Sequence, residues 1–157
     1  MSIFTLSGLP ADFRKICPEI TAPTTPIAVM KGWLRAAEIA LAGAGFQDVR
    51  VFDHVPHSRP FPFVAMDQHQ VLPFDGAEMH GYDHRFYASI WSDYRGQKEV
   101  WELLEALWRG LHDKRLLLEN GAHVLCQVTD RRSVKDQDGA TYQGSIVCRI
   151  LSHPVAD

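Results

Sequence analysis

His84-Arg85-Phe86-Tyr87-Ala88-Ser89-Ile90-Trp91, running on through Ser92-Asp93-Tyr94-Arg95-Gly96 to Val100-Trp101-Glu102-Leu103-Leu104, decides the fold class. Phe86, Ala88 and Ile90 alternate with Arg85, Tyr87, Ser89 and Trp91, and a period of two puts the two sets on opposite faces of a strand. Past Gly96 the period changes. Val100, Leu103, Leu104, Leu107, Trp108 and Leu111 recur at spacings of three and four, while Lys98, Glu102, Glu105 and Arg109 take the other side. That pattern is an amphipathic helix over residues 96–112 with one buried stripe.

Downstream, Val124, Cys126 and Val128 alternate with Leu125 and Gln127, and Ile146, Cys148 and Ile150 alternate with Val147 and Arg149. Asp136-Gln137-Asp138-Gly139 between them favours a tight reversal, so the two runs form a hairpin with a charged tip. Upstream, Thr25 caps a helix over residues 26–44, with Pro26 in its first turn and Gly43 and Gly45 at its stop. Ile27, Met30, Leu34, Ala37 and Leu41 fall on one face of it. Val49–Phe52 and Phe61–Met66 are short strand candidates set off by Pro56, Pro60 and Pro62. Residues 70–81, with Pro73, Asp75, Gly76 and Gly81, read as a long loop. The order is arm, helix, two strands, loop, strand, helix, two strands. It gives an α+β domain: one antiparallel sheet of four to five strands with two main helices on one face.

Residues 1–26 precede that domain, which spans 27–157. Pro10, Pro18, Pro23 and Pro26 recur too often for a persistent helix or central strand. Phe4, Leu6, Leu9, Phe13 and Ile16 are nevertheless apolar, so this is either a partly ordered arm or one that docks on a neighbouring subunit.

With 157 residues, 46% of them hydrophobic and 22% charged, the chain is expected to fold as one soluble domain. No apolar run approaches the roughly 20 residues of a membrane-spanning helix. A net charge of -3 shared between both halves argues against a dedicated nucleic-acid surface. Cys17, Cys126 and Cys148 are odd in number and lack a CxxC spacing, which favours a reduced state.

No catalytic constellation emerges. There is no HExxH and no GxSxG, and Gly43-Ala44-Gly45 lies at the wrong end of a helix to bind phosphate. Asp136-Gln137-Asp138-Gly139 opens like a calcium loop, but Val147 stands where the closing glutamate belongs. His54 and His57, and His80 and His84 beside Asp83, have spacings that would suit a metal only on a helix. Here, with His69, they fall among prolines and glycines and read as solvated loop side chains. A small metal protein or enzyme built on these histidines is the competing class. A nucleic-acid-binding accessory protein using Arg131, Arg132 and Lys135 is a third, though Asp130, Asp136 and Asp138 dilute that cluster. Aromatic residues are more suggestive. Tyr87 and Trp91 lie opposite the Phe86/Ile90 face, so either another subunit or the long loop covers them.

Several segments together resemble the tail-completion family of long-tailed phages, prophages and gene transfer agents, the tail terminators or tail-to-head joining proteins. They are the opening helix with its small-residue end, Val51-Phe52-Asp53 leading to Val55-Pro56, and Pro62-Phe63-Val64. The strand from His84 into Ser92-Asp93-Tyr94-Arg95-Gly96, the helix closing at Leu111-His112, and Leu116–Leu118 before the last hairpin complete the set. The resemblance covers residues 27–151, about four-fifths of the chain, and leaves out residues 1–26 and any signature in the 68–81 loop. It implies a structural subunit without enzymatic activity, cofactor or metal. It further implies a homo-oligomeric ring, a hexamer, that caps the major tail tube protein and meets the head-side connector or stopper. Such a subunit is assembled in the bacterial cytoplasm, resides in the virion at the tail–head junction, and meets DNA only as passing cargo. On this reading Tyr87, Trp91, Tyr94 and Arg95 are candidates for the subunit interface, Arg95 as partner of a neighbour's carboxylate. Phe74, Asp75, Met79 and Tyr82 in the loop, and Lys135, Asp136 and Asp138 at the hairpin tip, are candidates for tube or connector contact.

Overall fold

A computed structural model of the chain describes residues 25–73 and 81–152. The N-terminal arm up to residue 24, with Cys17, and the loop positions Phe74, Asp75, Met79 and His80 lie outside the described residues.

Helix α1 spans Pro26–Gly43, strand β1 Val51–Phe52, β2 Phe63–Pro73 and β3 Tyr82–Ser92. Helix α2 follows at Lys98–Leu111, then β4 Lys114–Leu117, β5 His123–Lys135 and β6 Tyr142–Ser152. The strands form one sheet in the order β1-β2-β3-β6-β5-β4. Its neighbours are antiparallel except β1 and β2, which run parallel. The expected sheet of four to five antiparallel strands is therefore corrected to six strands of mixed direction. The additional strand is β4, four residues of which only Leu116 is buried, while β1, expected over residues 49–52, is reduced to Val51–Phe52. Neither is long enough to display a period.

The long loop is also shorter than expected. β2 continues to Pro73, which pairs with Tyr82, while Leu72 pairs with Asp83. A terminal proline is tolerated here because β1 covers β2 only at Val64 and Ala65, so the strand's other edge is open near Pro73. Tyr82 accordingly begins a strand instead of lying in a loop.

Both helices pack on the sheet face that carries His84, Phe86, Ala88 and Ile90. The α2 stripe is as read from the sequence except at Trp108: Val100, Leu103, Leu104, Leu107 and Leu111 are fully buried, and Trp108 is half-buried. In α1 the face differs. Val29, Trp33, Ala37 and Leu41 are buried, Met30 and Leu34 pack at the margin, and Ile27 is 63% exposed. Trp33 sets this orientation, its ring stacked on Phe86 with centroids 5.5 Å apart and planes 4° from parallel. The helices meet closely where Gly110 faces Ala40; a Cβ on Gly110 would lie 2.2 Å from that of Ala40. Thr25 caps α1 as expected, its Oγ1 accepting from Ala28 N at 3.2 Å.

The β5–β6 hairpin closes through Asp136 N donating to Thr141 O at 2.8 Å, with Gly139 at φ 76°. Cys126 and Cys148 are free thiols buried on the core face of these two strands.

Candidate functional site

The pleat of β3 sends Asp83, Arg85, Tyr87, Ser89 and Trp91 to the face without helices. Register carries Gln68 and Gln70 of β2, and Ser145, Val147 and Arg149 of β6, to the same face. Asp83 organises one end of it. Its carboxylate accepts from Arg85 (Nε at 3.2 Å, Nη2 at 3.0 Å) and from Arg149 Nε at 3.1–3.2 Å. The Asp83 side chain is 7% exposed, and both guanidiniums are about a third exposed. Burial by itself would raise this carboxyl, but hydrogen bonds and charge from Arg85 and Arg149 outweigh it and hold the pKa below the usual range. In the middle of the face Ser89 Oγ donates to Asp67 and accepts from Gln143 Nε2 at 3.1 Å.

Tyr87 and Trp91 are half-buried on this face, so neither is fully covered within the subunit. Beyond Trp91 the chain turns into α2. Ser92 is fully buried; its Oγ donates to Glu99 Oε1 at 2.5 Å and accepts from Tyr94 N at 3.1 Å. Gly96 at φ 82° completes the turn. This fixed junction projects Tyr94, 49% exposed, together with exposed Arg95. Arg95 has no hydrogen bond or ion pair among the described residues. The four interface candidates thus lie in two adjoining places, Tyr87 and Trp91 on the sheet face and Tyr94 and Arg95 at its rim.

The other candidates do not converge with them. Tyr82 is half-buried and sets its ring edge-on to His84, with centroids 6.0 Å apart. Lys135 ends β5, exposed to solvent. Asp138 is occupied by its own turn: its carboxylate accepts from Ala140 N, Thr141 N and Thr141 Oγ1 at 2.6–2.8 Å, bonds that lower its pKa. Asp136 shapes the same turn, its carbonyl accepting from Gly139 N at 3.1 Å.

The histidines divide. His54 and His57 are exposed, as expected of loop side chains. His84 and His69 are not. They lie on the core face of β3 and β2, with their Nδ1 and Nε2 atoms 2.9 Å apart, and His84 Nε2 is 2.6 Å from Ser152 Oγ. His69 stacks on Phe86 with centroids 4.2 Å apart. Burial, then the neighbouring His69, lowers the pKa of His84 to about 3 against a weaker opposing pull from Asp83. His84 is therefore neutral, its two ring nitrogens serving hydrogen bonds. The sequence held the signal for this: His84 continues the Phe86, Ala88, Ile90 alternation. Among the described residues no group of three or more His, Cys, Asp or Glu is placed to hold a metal ion, and no helix is long and apolar enough to cross a membrane.

The family model described as tail completion protein gp17 matches residues 30–153. A chain of the solved structure "Virion of native gene transfer agent (GTA) particle" is similar over 80% of this chain and 92% of its own, at 21% identity and a TM-score of 0.61, a likeness of fold. No curated protein matches the sequence. The family match runs from the first turns of α1 to the end of β6, and the chain belongs to the tail completion protein gp17 family, structural proteins of the phage tail.

Proposed function

We propose that this protein is a tail terminator: a subunit that closes into a ring of six on the last ring of the tail tube and presents a surface to the head-side connector. Membership of the tail-completion family is the observation that carries this reading. Physical support comes from the surface. A closed ring of identical subunits uses a head-to-tail contact between two different patches. The Tyr87/Trp91 sheet face, rimmed by Tyr94 and by Arg95, which has no partner among the described residues, has the makeup of one such patch, since aromatic residues and arginine are enriched at the centre of interfaces. The neighbour then supplies a carboxylate to Arg95, and the exposed β5–β6 tip with Lys135 faces the tube or connector. DNA passes through the lumen as cargo.

Deleting the gene in a particle-producing strain tests this. Electron microscopy is expected to show tails of irregular length and heads that remain unjoined, both restored by the intact gene. Joined particles of normal tail length in the deletion would overturn the reading.

A further inference from the structure

Trp91 does not stand alone on the helix-free face. Register places Phe63 of β2 opposite it, and Phe63 gathers a corner of aromatic rings. Phe61 lies 5.4 Å away and Phe52 6.1 Å away, measured between ring centroids. The Arg59 guanidinium sits over the Phe63 ring, 4.8 Å from its centroid. Phe63 itself is buried, but Phe61 is 39% exposed and Arg59 is exposed. Pro60 and Pro62 flank Phe61 and fix φ at their positions, so a stiff stretch of chain presents the ring.

Area brings this corner into the subunit contact. Tyr87, Trp91, Tyr94 and Arg95, all partly buried, offer roughly 300 Å² together. A stable contact needs roughly 800 Å² on each partner. Toward β6 and β5 the face is mainly polar, with Gln143 donating to Ser89 and Asp130 paired with Arg132 at 2.7 Å. Toward β1 it stays aromatic, which is the makeup of an interface centre.

The same chain carries a matching surface. On the helix side a recess of about 580 Å³ lies between the end of α1 and the outer face of α2. Phe46, Trp101 and Ala106 give it apolar walls, and Trp101 is 40% exposed. Glu105 in its lining is engaged by Arg109 at 3.9 Å and by Arg131 at 3.5 Å. Glu102 beside it is exposed and has no hydrogen bond or ion pair among the described residues. An apolar recess with an available carboxylate complements a phenylalanine with an arginine alongside. The two surfaces lie on opposite sides of the sheet, so a subunit cannot bring its own corner to its own recess.

We propose that Phe61 of one copy seats in this recess on the next copy, with Arg59 paired to the neighbour's Glu102. The inference rests on the ring reading above and names the two unlike patches of its head-to-tail contact.

The test uses the full chain with a photo-reactive benzoylphenylalanine at Phe61, as an equal mixture of nitrogen-15-labelled and unlabelled copies irradiated in the assembled ring. Cross-links to peptides spanning residues 97–106, present as mixed heavy–light pairs, are the expected result. Pairs of one isotope only, attachment to another surface, or no attachment would overturn the proposal. A charge swap checks the ion pair separately. Arg59→Glu should raise the concentration needed for half-assembly by about tenfold, since it sets like charges together. Adding Glu102→Arg to that variant should restore assembly, and a double variant no better than the single one would overturn the pairing. Native mass spectrometry of the unsubstituted chain keeps the two readings apart. A closed ring without these cross-links sinks this inference and leaves the ring standing, whereas a chain that forms no ring overturns both.

Discussion

Asp83 and His84 are neighbours in sequence and face opposite ways, and each is a buried ionisable group held in one charge state. Asp83 is an anion between two cations, so removing its charge leaves Arg85 and Arg149 facing each other. Asp83→Asn should cost about 2 kcal/mol in urea denaturation, less than a fully buried pair because the guanidiniums are partly solvated. Its folded pKa lies below its unfolded value, so its contribution is full above pH 4 and is lost as pH falls through the folded value. His84 acts earlier on acidification. Its folded pKa is about 3 against 6.5 unfolded, so below pH 6.5 the unfolded chain binds the extra proton and stability falls until about pH 3. Between pH 7.5 and pH 5 this amounts to about 2 kcal/mol. His84→Gln, which keeps hydrogen-bonding capacity without a charge, should flatten that part of the stability–pH curve. An unchanged slope would show that His84 is not the group responsible.

At the scale of elements, the span and cap of α1 were legible but its buried face only in part, whereas both span and face of α2 were legible, for one physical reason. α2 sets charges opposite its leucines, so a single orientation buries the stripe. α1 carries Ile27, Val29, Met30, Trp33, Leu34, Ile39 and Leu41 around most of its circumference, and several orientations look alike from sequence. Phe86 breaks the tie by stacking on Trp33. Trp33→Ala should therefore lower stability by about 4 kcal/mol, read as a drop in the denaturation midpoint. Gly110→Ala should cost about 2 kcal/mol by forcing α2 away from Ala40. β3, β5 and β6 were legible because alternation over five or more residues identifies a buried face, whereas β2 was read only as far as Met66. β4 was not, because its pairing partner defines it more than its own residues do, and β1 was read as a strand over residues 49–52 but not as parallel to β2. The candidate site was legible in part. Alternation placed Tyr87 and Trp91 on the helix-free face, but the Asp83–Arg85–Arg149 cluster joins residues 66 positions apart, a distance that only register closes.

At the scale of the molecule, the sheet has two unlike surfaces: one sealed by helices, and one polar with half-buried aromatics beside Arg95, which has no partner among the described residues. A head-to-tail contact sets such a face against a different patch of the neighbour, and the Arg95 prediction belongs here. Arg95→Glu should reduce the ring fraction in light scattering while leaving the unfolding free energy of the subunit within about 0.5 kcal/mol, as an exposed side chain should. Unchanged assembly would remove Arg95 from the interface. The most direct measurement of the central claim is cryo-electron microscopy of intact particles from the producing strain. The account predicts this fold as a closed ring of six at the head-side end of the tail tube; its absence from the particle, or its presence as single copies elsewhere on it, would contradict the account.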